Sequence, residues 1–405
     1  MGILVFLFAI LYILIFPIGE LLGFTFIKSA NLSLLDVFTF IIFLFWLITS
    51  KKKGIKNSLS LPIAIFIGIL FLSFIINMSG IPLNLLTVAF LYIVRWLLYL
   101  SVFFVLINSS KRVKNLVPYF MSGGGLIVVI IGYFQYFLFP SLQSLYKYGW
   151  DEHLYRLFSS FLDPNFCGII ISLVFILNFY FLRFFKKGRF KIVFFTLQFL
   201  IFVALLLTYS RSALITLIVS IITFLILEKR MKIAIVFIAG CIISVFLLSS
   251  ANPILELKFA RTYKTEGTNF LRTTSVQARV RSIKDGLTLF SKYPVFGVGF
   301  NNLRYAQYKS GIIGGPNWET THAGGGTDNS FLFVAETTGI VGLGAYLFLL
   351  YSIFRNLLKK RKGKLAVIAI SSLSGVIVGT FFINGLFYPF IMLWLWSLIG
   401  ITLNT

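Results

Sequence analysis

Residues 251–329 read ANPILELKFARTYKTEGTNFLRTTSVQARVRSIKDGLTLFSKYPVFGVGFNNLRYAQYKSGIIGGPNWETTHAGGGTDN. This is the long polar segment of an otherwise oily chain. It holds ten Lys/Arg, five Asp/Glu and one of the two histidines. On either side lie apolar runs long enough to be membrane helices, so any chemistry based on polar groups is expected to concentrate here.

The 405 residues are 59% hydrophobic and 12% charged, with a mean hydropathy of +0.96. A soluble domain is nearer half apolar and a quarter charged. The chain therefore reads as an all-α polytopic membrane protein, not as an outer-membrane barrel with its alternating pattern. Predicted helices lie near 3–18, 34–49, 60–78, 84–107, 118–139, 164–184, 192–208, 212–227, 233–250, 330–354, 365–384 and 386–401. That makes about twelve transmembrane helices in one membrane domain, 1–405. The long external loop, 251–329, falls between predicted helices nine and ten and carries short helices. With no repeat or linker visible, one domain is expected. The first apolar run lacks a basic leader and a clear cleavage site, so it is read as a retained helix. Cys167 and Cys241 both fall in predicted helices and read as small core residues.

The net charge of +24 has a membrane explanation and not a nucleic-acid one. Of 36 Lys/Arg, 21 sit in short connections such as KKKGIK (51–56), KRVK (111–114), KKGRFK (186–191) and KKRKGK (359–364). Every second connection carries such a cluster, which puts these connections and both termini in the cytoplasm. Of twelve Asp/Glu, Glu228 alone falls on that side. Segments 140–160, 209–211 and 251–329 are then external. Long loops escape the charge rule, so the basic 251–329 stretch is no contradiction. Its plain reading is a solvated loop. Its sharper reading is a site for an anionic ligand, since guanidinium forks bind phosphates at this depth.

Four external arginines are candidates for that site. Arg156 ends the first outer segment, in YRLFSSFLDPNFCG. Arg211 sits in the tight turn TYSRSAL. Arg279 and Arg281 begin RVRSIKDGLTLFSKYP, where Val280, Ile283, Leu287 and Phe290 repeat at helical spacing and point to a helix lying on the membrane surface. Each alone is a plausible headgroup anchor; converging, they suit a diphosphate. Arg95 differs, lying mid-way along LLTVAFLYIVRWLLYLSVFFVLI. A charge there marks either a functional intramembrane site or a pairing with an acid folded inward. THAGGGTDNSFL places His322 and Asp328 beside three glycines. Asp328 reads either as the cap of the helix starting near Ser330 or as a base taking a proton from a sugar hydroxyl, and His322 as an alternative base. GVGFNN supplies turn glycines without the strand–helix setting of a nucleotide fold. No Cys/His metal spacing, phosphate-binding Gly-Lys loop or nucleophile elbow occurs, so neither metal nor cofactor is expected.

Taken together, these elements resemble the O-antigen ligase and O-antigen polymerase superfamily of bacterial inner-membrane polysaccharide glycosyltransferases. The resemblance spans roughly residues 150–350. It rests on Arg156 before the Pro-Asn element of DPNFCG, on SRSA at 210–213, on Arg279 through YPVFGVGFNN, and on DNSFLFVAETTGIVG. It implies a metal-independent enzyme at the outer face of the cytoplasmic membrane, acting on a glycan carried by undecaprenyl diphosphate. The glycan passes to an acceptor hydroxyl and the diphosphate lipid is released. Arg156, Arg211 and Arg279, with Arg281 beside them, would hold the diphosphate. Ligases of this family usually carry His where this chain has Asp328. This favours a polymerase joining lipid-linked repeats of O-antigen or a related surface polysaccharide. Transfer to lipid A core, or to a protein acceptor, is the alternative, and a lipid-linked glycan transporter is the alternative of another class. The implied partners are the lipid-linked donor and acceptor, the bilayer and, for a polymerase, a chain-length regulator; nucleic acid is not among them.

Overall fold

An apolar run can enter hydrocarbon as a helix because the helix satisfies its own backbone donors and acceptors. The computed structural model has such helices throughout, and it describes residues 2–27, 30–49, 57–148, 150–184, 188–236, 238–240, 274–315, 318–319 and 326–403. In chain order, α1 (Gly2–Ala9) continues through a π-turn, Ile10–Ile15, and a 3₁₀ turn, Phe16–Ile18. Then come α2 (Leu34–Thr49), α3 (Ser60–Ile76), α4 (Leu83–Ile107), α5 (Lys111–Leu138), α6 (Pro164–Asn178), α7 (Gly188–Leu207) and α8 (Arg211–Leu227). The polar segment contributes α9 (Thr274–Lys292) and α10 (Leu303–Lys309), and α11 (Ser330–Lys359), α12 (Lys364–Gly379) and α13 (Pro389–Leu403) follow.

Among the described residues, α4, α5, α7 and α11 are long and apolar enough to cross a membrane. Shorter apolar helices of 10–17 residues include Gly2–Ile18, α2, α3, α6, α8, Met231–Gly240, α12 and α13. The sequence count of about twelve spans therefore rests on these shorter helices as well. One departure from an all-α chain is a small antiparallel hairpin, β1 (Gly23–Ile27) with β2 (Ala30–Ser33), which pairs Gly23 with Ser33 and Phe24 with Leu32. The run GFTFI is rich in aromatic and β-branched residues and too short for a helix, so hairpin pairing satisfies its backbone instead.

The helices pack as a bundle in which α12 lies along α8, α13 along α4, α6 along α8, and α11 along α3. Gly375 and Gly379, four residues apart on α12, let α8 approach closely. An added Cβ at Gly375 would lie 2.0 Å from Ser220 Oγ, and one at Gly379 would lie 2.0 Å from Thr216 Oγ1. Small residues at this spacing are a common device for close helix contact in lipid. The core is aromatic, with Tyr12, Phe16, Phe161, Phe390 and Trp394 fully or almost fully buried. The outside is apolar as well. On α7, Ile192 and Phe199 are more than 60% exposed, as expected of a surface that meets lipid rather than water.

The ends of the bundle are chemically distinct. Glu228, just after α8, pairs with Lys364 at the start of α12 at 2.5 Å, so the basic connections 228–232 and 359–364 share one end. The starts of α8 and α11, and the polar α9 and α10, belong to the opposite end.

Helix α11 is broken where it meets that polar end. Gly339 has φ +70°, outside helical space. An added Cβ there would stand 1.9 Å from Val295 O, so the position requires glycine for both space and conformation. The loop YPVFGVG enters the break. Val298 N donates to Glu336 O (2.9 Å), Gly299 N to Thr337 O (3.0 Å), and Ile340 N to Pro294 O (2.8 Å). Ser73 Oγ on α3 donates to Phe296 O (2.7 Å) and Thr337 O (2.8 Å). Non-helical backbone at membrane depth survives when it is buried in protein and bonded in this way. The two glycine-rich motifs, 294–299 and 336–342, are thus the halves of one clamp.

Candidate functional site

The site is built on helix N-termini at the polar end. Asp163 caps α6, accepting from Asn165 N (2.6 Å) and Phe166 N (3.2 Å), with Pro164 at the first helical position. Ser210 caps α8 by accepting from Ala213 N, which places Arg211 in the first turn. Tyr209 just before it has φ +50°, a left-handed residue that reverses the chain between α7 and α8.

Arg156 is 5% exposed and lies beneath this turn. Its Nε donates to Thr208 O at 3.0 Å, and one terminal nitrogen reaches Asn165 Oδ1 at 3.5 Å. Ser210 Oγ donates to the same Asn165 oxygen at 3.1 Å. One amide therefore ties the α6 terminus, the α7–α8 turn and the segment carrying Arg156. That segment is held in an unusual shape: His153, Tyr155, Ser159 and Leu162 all have positive φ. Gln135 Oε1 on α5 accepts from Phe158 N (2.8 Å) and Ser159 N (3.1 Å), supporting conformations that cost of order 1–3 kcal/mol each.

Arg279 comes to this place on α9. Gly286 and Leu289 form the buried side of α9 against α11. Val280 and Leu287, expected to share one apolar face with Ile283 and Phe290, are 55% and 52% exposed. Together with Val276 they form an outward apolar stripe, because packing on α11 turns the neighbouring side of the helix inward. Arg279 is half-buried. Burial pushes its guanidinium down from the ordinary arginine range, Asp328 pushes it up, Arg211 pushes it down and Asp163 pushes it up. Those charges lie close enough to act on one another. Arg281, two residues on and so about 200° round the helix, is exposed. Arg156 is thus bonded to the turn that carries Arg211, and Arg279 lies within electrostatic reach of Arg211, whereas Arg281 faces outward.

Asp328 lies within electrostatic reach of Arg279. The expectation that it caps α11 is corrected: the cap is Asn329, whose side chain accepts from Phe331 N and Leu332 N, each at 2.9 Å. Asp328 is one residue too early to reach those donors, which leaves its carboxyl for another use. Its backbone N donates to Ser282 Oγ on α9 at 3.0 Å. Burial pushes its carboxyl above the ordinary aspartate value, Arg279 pulls it down and Asp163 pushes it up. The strap before it is held by Thr327 Oγ1, which donates to Glu336 of α11, a side chain with no solvent exposure. His322 and Cys241 lie outside the described residues; Cys167 is a buried free thiol.

A cavity of about 620 Å³ adjoins this cluster, with Asp163 and Gly326 in its wall. Its far wall includes Arg95, twelve residues into α4 and so about 18 Å from that helix's start. Arg95 is paired. It donates to Asp36 Oδ2 of α2 at 2.8 Å and to Asn31 O, and lies 5.0 Å from the Tyr92 ring centroid. Tyr99 Oη donates to the second Asp36 oxygen at 2.7 Å. The acid folded inward is therefore Asp36, and Arg95 serves as a fixed part of the wall. Glu20, after α1, accepts from Tyr388 Oη at 3.0 Å, and burial pushes its carboxyl up.

Sequence reasoning missed Asp163, Asn165, Ser210, Glu20 and Asp36. Asp163 and Ser210 had a signal, since each is a capping residue directly before an apolar run. Asp36 and Glu20 had only the scarcity of acids in an oily chain.

The fold and site define a multi-pass membrane protein with an arginine-rich cluster and a cavity at one end. Residues 196–347 match the family model described as Wzy_C, O-antigen ligase, which supports the resemblance to the O-antigen ligase and polymerase superfamily. The match covers α8, α9 and the α11 break. No curated protein matches the chain.

Proposed function

We propose that the protein polymerises oligosaccharide repeats carried on undecaprenyl diphosphate, at the outer face of the bacterial cytoplasmic membrane, with both chain termini on the cytoplasmic side. What supports this reading is that Arg279 lies within electrostatic reach of Arg211, Asp328 and Asp163, residues of separate segments, and that Asp163 also lines the cavity. Like charges are costly to gather unless an anion occupies the space between them, and two guanidiniums suit a diphosphate.

In the reaction, an acceptor hydroxyl oxygen attacks the anomeric carbon of the donor glycan. The bond from that carbon to the diphosphate oxygen breaks, and its electron pair leaves with the diphosphate. The hydroxyl proton goes to the Asp328 carboxylate, which must be ionised to take it. Arg211 and Arg279 stabilise the charge that gathers on the departing diphosphate. Arg156, held beneath the turn, fixes the backbone that presents Arg211 and adds its charge to the field. No step in this scheme needs a metal.

Polymerase is preferred to ligase because Asp328 stands where ligases of this superfamily usually carry His. The name of the matched family model keeps transfer to lipid A core as the second reading. The test is Arg211→Ala in cells, reading surface glycan on a gel. A polymerase variant collapses the ladder to single repeats. A ligase variant accumulates long lipid-linked glycan that never reaches lipid A core. An unchanged ladder would sink both.

A further inference from the structure

The cavity differs from the arginine cluster in both charge and surface. Its described lining residues include four carboxylates, Glu20, Asp151, Asp163 and Glu319, against two guanidiniums, Arg95 and Arg304. Arg95 is already balanced by Asp36. Arg304 donates to Trp318 O at 2.9 Å, and burial pushes its guanidinium down from the ordinary range. In a chain of net charge +24, carboxylates thus outnumber guanidiniums among the described residues that line this space.

The walls are also flat and aromatic. Trp318 stacks on Tyr308 at 4.2 Å and 6°, and Phe166 stacks on Tyr388 at 4.1 Å and 14°. Trp318, Phe166 and Tyr388 all line the cavity, with Tyr92 and Trp150. Aromatic rings present a broad apolar face with partial negative charge, which suits the C–H face of a pyranose. Carboxylates beside them accept hydrogen bonds from sugar hydroxyls and pair with ammonium groups. A cavity of about 620 Å³ is in the range that encloses a small ligand.

Asp163 joins the two regions, lining the cavity while its charge acts on Arg279 and Asp328. A hydroxyl entering from the cavity would arrive beside Asp328. Resting on the reading above, we propose that this cavity seats the acceptor glycan and selects neutral or amino sugars over carboxylated ones. A uronate would bring its charge against four carboxylates, while both guanidiniums among the described lining residues are already bonded within the protein.

The test is calorimetric titration of the full protein in nanodiscs, at fixed ionic strength, with three tetrasaccharides: N-acetylglucosamine tetramer, its de-N-acetylated form and tetragalacturonate. The neutral and amino forms are expected to bind at least about tenfold more tightly than the uronate, a difference of about 1.4 kcal/mol. Glu20→Gln is expected to narrow the gap between amino form and uronate severalfold. Trp318→Ala is expected to weaken all three. Equal or tighter binding of the uronate overturns the proposal, as does absence of measurable binding of every probe, or indifference to both substitutions. Arg211→Ala separates the two readings: it should leave tetrasaccharide binding intact while abolishing polymerisation. Retained polymerisation in that variant would sink the proposed function, whatever the titrations show.

Discussion

Two sets of arginines in this protein are treated in opposite ways. Arg95 is matched one-to-one by Asp36, with Tyr99 and Asn31 completing the local hydrogen bonds. Arg279 is held partly out of water, within electrostatic reach of Asp328, Arg211 and Asp163. Deep in the bundle an unmatched charge is prohibitively costly, so the cation is neutralised where it stands. At the polar end water and loops lower that cost, and guanidiniums can be kept near one another for a ligand. The same residue type is structural in one place and, in our reading, functional in the other.

The largest expected effect breaks the matched pair. Asp36→Ala leaves a largely buried guanidinium without its partner and should cost about 3–5 kcal/mol of stability. Thermal unfolding in detergent would show it as a large drop in midpoint. A change of less than a few degrees would mean that Arg95 is served by water instead.

The next effect sharpens the other side of the comparison. Arg279→Gln removes a charge that burial disfavours more than its neighbours favour it, so the unfolding midpoint should hold or rise. Turnover should fall by about 10²–10³, the usual loss on removing one preorganised donor to a developing anion. A variant that loses stability and activity together would make Arg279 structural, like Arg95.

The smallest effect is in pH dependence. Burial raises the Asp328 carboxyl in the folded state. Its contribution to stability is therefore complete below the ordinary carboxylate value and is lost as pH rises through the folded value. Activity runs the other way, because the base must be ionised: turnover should rise with pH through that same raised value. Since Arg279 pulls Asp328 down, Arg279→Gln should move the acid limb of the residual activity to higher pH. An acid limb that stays in place across both proteins would remove Asp328 from the role of base.

Much of the candidate site was legible because it consists of local exceptions. Arg211 stands in a tight turn between two apolar runs, and Asp328 stands beside glycines at the head of another. The role of Asp328 at that helix head was not legible, since capping turns on backbone geometry within one residue, and Asn329 takes the donors. Nor was the use of GVG. Its glycines have meaning only against the break at Gly339, some forty residues away. The stripe on α9 was legible as helical but not as to which side faces inward, because packing against α11 outweighs the apolar count.

By itself the sequence determined where helices form, which ends carry the basic connections and which segments are polar. Each of these follows from the transfer free energy of a contiguous run of side chains, a sum over neighbours in the chain. Tertiary structure alone decided that Asp36 answers Arg95, that Asn165 joins Arg156 to Ser210, and that an acidic, aromatic cavity lies beside an arginine cluster. Those are pairings between distant residues, and their energies depend on distance and burial that no run of neighbouring residues encodes.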